Sequence, residues 1–153
     1  MILAVISFFL TFADTTSMRE EYKKSADRNI ESVLGKGELK STLTDSGKEY
    51  YMFESAEGKE SATVVFSSAK GRYEFFDYMV IINQNTEIVD IKILKYRSEY
   101  GYEITNKSWL RQFYNKQGVS FEYRKNIDTL SGATFSAQSL VNDINKILDK
   151  LKK

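Results

Sequence analysis

The 153-residue chain contains no cysteine, no histidine and no proline. Without cysteine it cannot form disulfide bonds, Cys-ligated zinc sites or iron–sulfur clusters, and it has no thiol nucleophile. Without histidine it cannot carry a Ser-His-Asp triad, a His-ligated haem or most known catalytic zinc sites. We therefore predict no metal site and no catalytic residues, and any redox chemistry must come from a bound cofactor.

The charges are evenly balanced, with 22 basic and 21 acidic residues and a net charge of +1. No segment is dominated by lysine or arginine, whereas nucleic-acid binding needs a concentrated basic face. Nucleic acid is therefore not an expected partner. The length is typical of one folded domain that can bury a substantial core.

Residues 2–12 are almost entirely apolar, and Asp14 marks a sharp change to polar sequence. This run is too short to span a hydrocarbon layer of about 30 Å at a rise of about 1.5 Å per residue. It is typical of a secretory signal, with Thr11 and Ala13 as small residues at a cleavage site, although no Lys or Arg precedes it. We predict that residues 1–13 direct export and leave the protein periplasmic or on the cell surface, soluble or weakly membrane-associated. The alternatives are that the start is truncated or that the run is a buried strand.

The segment 14–47 is predicted to be an N-terminal helix and a connector. Ser17 and Glu20 have the spacing of a capping box, and Gly35 is typical of a helix C-cap. Apolar residues recur between them at helical spacing, namely Met18, Tyr22, Ala26, Ile30 and Val33. A helix over 17–34 follows.

Four runs with β character come next, at 49–56, 61–69, 73–83 and 86–96. Turn residues between successive runs indicate hairpins, and the alternation at Ile91 and Ile93 predicts an antiparallel sheet with one covered face. An apolar wall is expected from Phe75, Phe76, Tyr78, Val80 and Ile82.

The remaining sequence predicts irregular or short helical structure over 97–119, a further strand over 120–124, and a long amphipathic helix from Phe135 onward. The fold class is therefore α+β, an antiparallel sheet with an N-terminal helix and a C-terminal helix packed against it.

The segment 128–134, which reads DTLSGAT, ends in the Thr134 hydroxyl just before the C-terminal helix. A phosphate joined to that hydroxyl would lie against unpaired N–H groups at the positive end of the helix dipole. The alternative is an ordinary turn, in which Gly132 has a positive φ and Thr134 or Ser136 serves as the N-cap.

The same segment has the form Asp-x-x-Ser/Thr-Gly-Ala-Thr and resembles the flavinylation motif of the FMN-binding domain family. That family includes the C subunit of the sodium-translocating NADH:quinone reductase and the G subunit of the Rnf complex. The resemblance extends over roughly residues 48–151, and residues 48–153 are predicted to form the FMN-binding domain. It implies that an FAD-dependent flavin transferase outside the cytoplasm esterifies the phosphate of FMN to Thr134. The transferase would recognise Asp128, Ser131, Gly132, Ala133 and Thr134.

The resemblance also implies which residues hold the cofactor. The phosphate would contact Ser131, Gly132, Ala133, Thr134 and Ser136, and the loop with Glu99, Tyr100 and Gly101 stands where the family has a Glu-Thr-x-Gly-type loop. Tyr73, Tyr100, Tyr102 and Trp109 are either stacking partners of the flavin or packing residues, and Glu99 either hydrogen-bonds the ring or faces water. Bulky Arg72, Tyr73, Glu74 and Tyr100 replace glycines that are usual in the family.

We therefore expect an exported electron-transfer protein with one covalent FMN on Thr134, a redox carrier more than an enzyme with its own substrate. Its partners would be the flavin transferase and unidentified electron donor and acceptor proteins, membrane-bound or secreted. Two alternatives remain open: an exported, non-catalytic binding module with an aromatic-rich sheet and no flavin, and a domain that binds FMN without a covalent link.

Overall fold

The computed structural model describes residues 16–153, so the predicted export segment lies outside the described residues. A five-stranded antiparallel sheet has its strands in chain order. Its strands are β1 (Gly37–Asp45), β2 (Lys48–Ser55), β3 (Glu60–Lys70), β4 (Phe75–Asn83) and β5 (Ile88–Lys95). The helices are α1 (Met18–Glu21), α2 (Lys23–Leu34), α3 (Lys107–Leu110) and α4 (Thr134–Leu151), with short 3-10 helices at Tyr102–Thr105 and Arg111–Phe113. None of the helices between residues 16 and 153 has the length and apolarity to cross a bilayer. The predicted α+β class is confirmed.

The N-terminal helix begins and ends at the predicted residues, but it is interrupted once. The Ser17 hydroxyl caps α1 by accepting a hydrogen bond from the Glu20 N–H at 3.2 Å, and Gly35 ends α2 with φ of 84°. Between α1 and α2, Tyr22 leaves helical geometry with φ of −105° and ψ of 15°. Its hydroxyl donates to Asp77 of β4 at 2.5 Å, which ties the break to the sheet.

The four predicted strands are confirmed as β2 to β5, but β1 was missed within the predicted connector. β1 lies at the edge of the sheet and pairs with β2 from Gly37 opposite Ser55 to Asp45 opposite Lys48. Most of its residues are exposed. The sequence of β1 therefore lacks the apolar alternation that reveals a half-buried strand.

Both faces of the sheet are covered, so the prediction of a single covered face is wrong. β4 is buried continuously from Phe76 to Ile82. Alternate residues of the sheet face α4 on one side and α2, with Ala26 and Ile30, on the other. Of the predicted apolar wall, Phe75 alone is not in the core, because it lies 56% exposed at the start of β4.

The predicted strand over 120–124 is also wrong, since this segment contains only an isolated bridge between Tyr123 and Ile127. The amide of Asn145 in α4 takes the place of a strand partner. It accepts from the Phe121 N–H at 3.0 Å and donates to the Phe121 carbonyl at 2.8 Å. The hydrogen-bonding groups of the Phe121 backbone are thereby paired with a side chain, so this segment needs no neighbouring strand.

A polar network lies inside the core between the sheet and α4. The Asp143 carboxylate accepts hydrogen bonds from Ser67 at 2.7 Å and from Tyr78 at 2.6 Å, and its second oxygen lies 2.6 Å from Lys48 Nζ. Burial and the neighbouring carboxylate raise the pKa of Tyr78 well above its ordinary value, so its hydroxyl remains a donor. The network joins β2, β3 and β4 to the middle of α4.

Candidate functional site

Thr134 is the first residue of the 18-residue helix α4, and it is partly exposed. The N-cap is Ala133, with φ of −131° and ψ of 30°, and no side chain caps the helix. The alternative in which Thr134 or Ser136 is the N-cap is therefore wrong. The first intrahelical bond runs from the Ala137 N–H to the Ala133 carbonyl at 2.8 Å, so the N–H groups of residues 134–136 precede the helical ladder.

The turn that leads into α4 depends on Gly132, which has φ of 84° as predicted. A side chain at this position would also lie 2.6 Å from Oε1 of Glu103, a residue that the sequence did not single out. The Ala133 N–H closes the turn by donating to the Leu130 carbonyl at 3.1 Å. Gly132 thus allows both the backbone conformation and the close approach of the Glu103 carboxylate.

Three side chains fix the backbone before this turn. The indole of Trp109 donates to the Asp128 carbonyl at 2.9 Å, Gln112 accepts from the Asp128 N–H at 2.8 Å, and the Tyr123 hydroxyl accepts from the Leu130 N–H at 3.0 Å. The side chains of Asp128, Thr129 and Ser131 are nevertheless exposed. The motif therefore combines a fixed backbone with side chains that another protein can reach.

Trp109 is 6% exposed and packs edge-on against Phe113 with ring centroids 5.5 Å apart. Of its two predicted roles, the structure therefore places it in the core. It contacts the motif through its hydrogen bond to the Asp128 carbonyl.

The Tyr96 hydroxyl joins the loop before Gly101 to the first turn of α4. It donates to the Tyr100 carbonyl at 2.6 Å and lies 3.0 Å from Ser136 Oγ. A phenol has one proton, so Ser136 is the donor to Tyr96. Ser136, which is buried, therefore uses its proton inside the protein, and Thr134 has the reachable hydroxyl of α4's first turn.

A cavity of about 210 Å³ opens beside Thr134. Eight residues line it: Arg72, Tyr100, Gly101, Gly132, Ala133, Thr134, Phe135 and Ser136. Six of these were predicted from the sequence, whereas Arg72 was noted only as a departure from the family and Phe135 only as the start of the helix. Glu99, Ser131 and Asp128 are exposed outside this lining. The cavity is smaller than pockets that enclose a whole drug-sized ligand, which occupy about 300–1,000 Å³.

Large exposed aromatic side chains lie in the lining of this cavity or on residues adjacent to it in the chain. Tyr73, Tyr100, Tyr102 and Phe135 are each between 57% and 66% exposed. The rings of Tyr73 and Tyr100 lie 5.7 Å apart, and the Arg72 guanidinium lies 5.4 Å from the Tyr73 ring and 5.6 Å from the Phe135 ring. Clustered exposed aromatics of this kind mark binding surfaces on soluble proteins.

The cavity suits an anionic phosphate at its inner end. Uncapped N–H groups point from the start of α4, and small Gly101, Gly132 and Ala133 allow close approach to the backbone. The first turn of α4 contains no acidic residue, and the carboxylate of Glu103 lies beside Gly132. These residues therefore fit a phosphate carried on Thr134, with exposed rings beside it for a planar group.

Replacing Tyr96 by phenylalanine is expected to lower the free energy of unfolding by about 1–2 kcal/mol and to loosen the loop around Gly101. The change removes the donor to the Tyr100 carbonyl and the acceptor for buried Ser136. Denaturant unfolding and hydrogen exchange of residues 98–102 measure the two effects. Tyr102→Phe is the matched control, since Tyr102 is 63% exposed, and equal effects of both variants would contradict this role of Tyr96.

Comparison with known proteins identifies the family. A family model described as the FMN-binding domain matches residues 71–149, just over half of the chain, and the match includes β4, β5, the motif and most of α4. A search of curated proteins gave no match. The match confirms the family predicted from the motif, supports FMN as the cofactor, and supports a flavin-binding electron-transfer module. The chain therefore belongs to the FMN-binding domain family.

Proposed function

We propose that this protein is an exported electron-transfer carrier with one FMN joined through its phosphate to Thr134 Oγ1. The observation that carries the proposal is the position of that hydroxyl. It is partly exposed at the uncapped start of α4, inside a cavity whose lining residues all fall within the family match. When bound, FMN supplies the electron transfer that the side chains of this chain cannot.

The attachment requires a transfer in which the bonds balance. The Thr134 oxygen bonds to the phosphorus of the FMN half of FAD, the bond from that phosphorus to the AMP half breaks, AMP leaves, and the hydroxyl proton goes to solvent or to the transferase. The partner is an FAD-dependent flavin transferase. Exposed Asp128, Ser131 and Gly132 support recognition through their surface, whereas Ala133 is 3% exposed and contributes by its small size.

The size of the cavity supports a site in which the phosphate and the isoalloxazine of FMN occupy different parts. About 210 Å³ suffices for the phosphate end, and the isoalloxazine would lie on the exposed aromatic side chains, of which Tyr73 and Tyr100 are adjacent. A flavin held on the surface would be accessible to protein electron donors and acceptors. This accessibility supports the role of a carrier between proteins.

Co-expression with an FAD-dependent flavin transferase tests the proposal. The intact protein is expected to gain the mass of FMN less one water, and the gain should map to the peptide that contains Thr134. The yellow colour should survive denaturation and filtration. Colour lost on filtration would indicate non-covalent FMN, and a colourless protein of unchanged mass would favour the binding module; either result would refute the covalent link. N-terminal sequencing of the protein from its native host tests export separately.

A further inference from the structure

Arg72 is the only charged residue among the eight that line the cavity beside Thr134. It lies in the turn between β3 and β4, and its guanidinium reaches across to Phe135, the second residue of α4. Among the side chains that the structure describes, no carboxylate lies within ion-pair distance of this guanidinium. The rings of Tyr73 and Phe135 hold the cation in place without neutralising its charge.

The Arg72 guanidinium and the start of α4 both bring positive charge to this cavity. The N-terminus of a helix carries roughly half a positive charge, and a nearby cation is repelled by it. The first turn of α4 has neither an acidic residue nor a side-chain cap, and the Glu103 carboxylate beside Gly132 forms no ion pair with Arg72. An unpaired arginine and an uncapped helix end therefore meet at one cavity, where one phosphate would neutralise both.

We propose that Arg72 is the counter-cation of the phosphate joined to Thr134, a role that rests on the proposed attachment at that residue. A phosphodiester keeps one negative charge, and a guanidinium can donate two parallel hydrogen bonds to its oxygens. Arg72 is thus a positioning residue for the cofactor, supplied by the β3–β4 turn and oriented by the rings of Tyr73 and Phe135.

The test compares the melting temperature of wild-type protein and Arg72→Gln, each in unmodified and flavinylated form. At low ionic strength the substitution is expected to lower the melting temperature of the flavinylated form by about 2–4 °C. In the unmodified form it should leave the melting temperature unchanged or raise it, because the repulsion is relieved. High salt should reduce the difference between the forms, since it screens exposed charges. Equal losses in both forms would show that Arg72 only packs against the rings, and would overturn the proposal.

Two further variants test whether the effect depends on the charge of residue 72 and on its position at the cavity. Arg72→Lys keeps the charge and should retain part of the stabilisation in the flavinylated form. Arg124→Gln is the matched control, because Arg124 is also an exposed arginine over a tyrosine ring, at 5.8 Å from Tyr123, but outside the cavity. It should affect both forms alike. A form-dependent effect of Arg124→Gln as large as that of Arg72→Gln would count against a specific role for Arg72.

The intact mass of the protein shows whether FMN is attached to it, and this result does not depend on the role of Arg72. If the mass is gained and Arg72→Gln acts equally on both forms, the attachment stands and the counter-cation role fails. If no mass is gained, the unmodified proteins are titrated with inorganic phosphate. Stabilisation of the wild type but not of Arg72→Gln would then support anion pairing by Arg72 while the proposed function fails. The same response in both proteins would overturn the pairing as well.

Discussion

Replacing Thr134 by alanine is expected to abolish covalent flavin attachment while the fold remains intact. The substitution removes the hydroxyl that the ester requires. Thr134 does not cap α4, and alanine is the best helix-forming residue, so the free energy of unfolding should change by no more than about 0.5 kcal/mol. Intact mass after co-expression with the transferase measures the loss of flavin, and urea unfolding measures the stability.

Two controls make this result specific to one oxygen atom. Thr134→Ser keeps a hydroxyl at the start of α4 and should keep flavin attachment, at full or reduced yield. Thr129→Ala removes an exposed hydroxyl from the same segment and should leave the mass gain unchanged. If Thr134→Ala still gained the mass of FMN less one water, another hydroxyl such as that of Ser131 would be the acceptor, and the assignment of Thr134 would be wrong.

Replacing Asp143 by alanine is expected to lower the free energy of unfolding by about 3–5 kcal/mol. Lys48 would keep its charge with only 13% of its side chain exposed, and the hydroxyls of Ser67 and Tyr78 would lose their acceptor. Removing one partner of a buried pair costs far more than the pair itself contributes. Guanidinium or urea unfolding monitored by circular dichroism measures this loss.

Asp149→Ala is the matched control for Asp143, because Asp149 lies on the same helix with 73% of its side chain exposed. Its effect should stay within about 0.5 kcal/mol. The double variant Lys48→Met with Asp143→Leu should recover much of the stability lost in Asp143→Ala, since no uncompensated charge then remains. A loss below about 1 kcal/mol for Asp143→Ala would mean that the network contributes little to stability.

Much of the sheet could be predicted because β2 to β5 bury side chains against a core. These strands are therefore rich in apolar and aromatic residues, and turn residues separate them, which is the pattern that predicts strands. β1 could not be predicted because it is an exposed edge strand, whose pairing with β2 leaves no apolar pattern. The error over 120–124 has a different cause. Asn145, more than twenty residues away, supplies the hydrogen bonds that a neighbouring strand would have supplied.

Some residues of the site could likewise be predicted from the sequence, and others could not. The segment around Thr134 was predicted because its seven residues are contiguous, and the Tyr100–Gly101 loop because the family has a loop at that point. Arg72, Tyr96 and Glu103 were not predicted as site residues, because each reaches the start of α4 from a distant part of the chain. Their roles follow from the folded arrangement of the β3–β4 turn, the end of β5 and the 3-10 helix that follows it.

We expect that the region matching the family, residues 71–149, does not fold as an independent unit in this protein. A shortened chain starting at Gly71 would lack β3, which pairs with β4 along its whole length. The backbone amides and carbonyls of β4 on that side would be unpaired, and such an exposed edge favours aggregation. It would also lack Lys48 and Ser67, which contact the Asp143 carboxylate of α4. Without α2, the face of the sheet opposite α4 would be exposed to solvent. Domain transplantation or fusion to a redox enzyme would therefore have to carry the upstream half of the sheet along with the flavin motif.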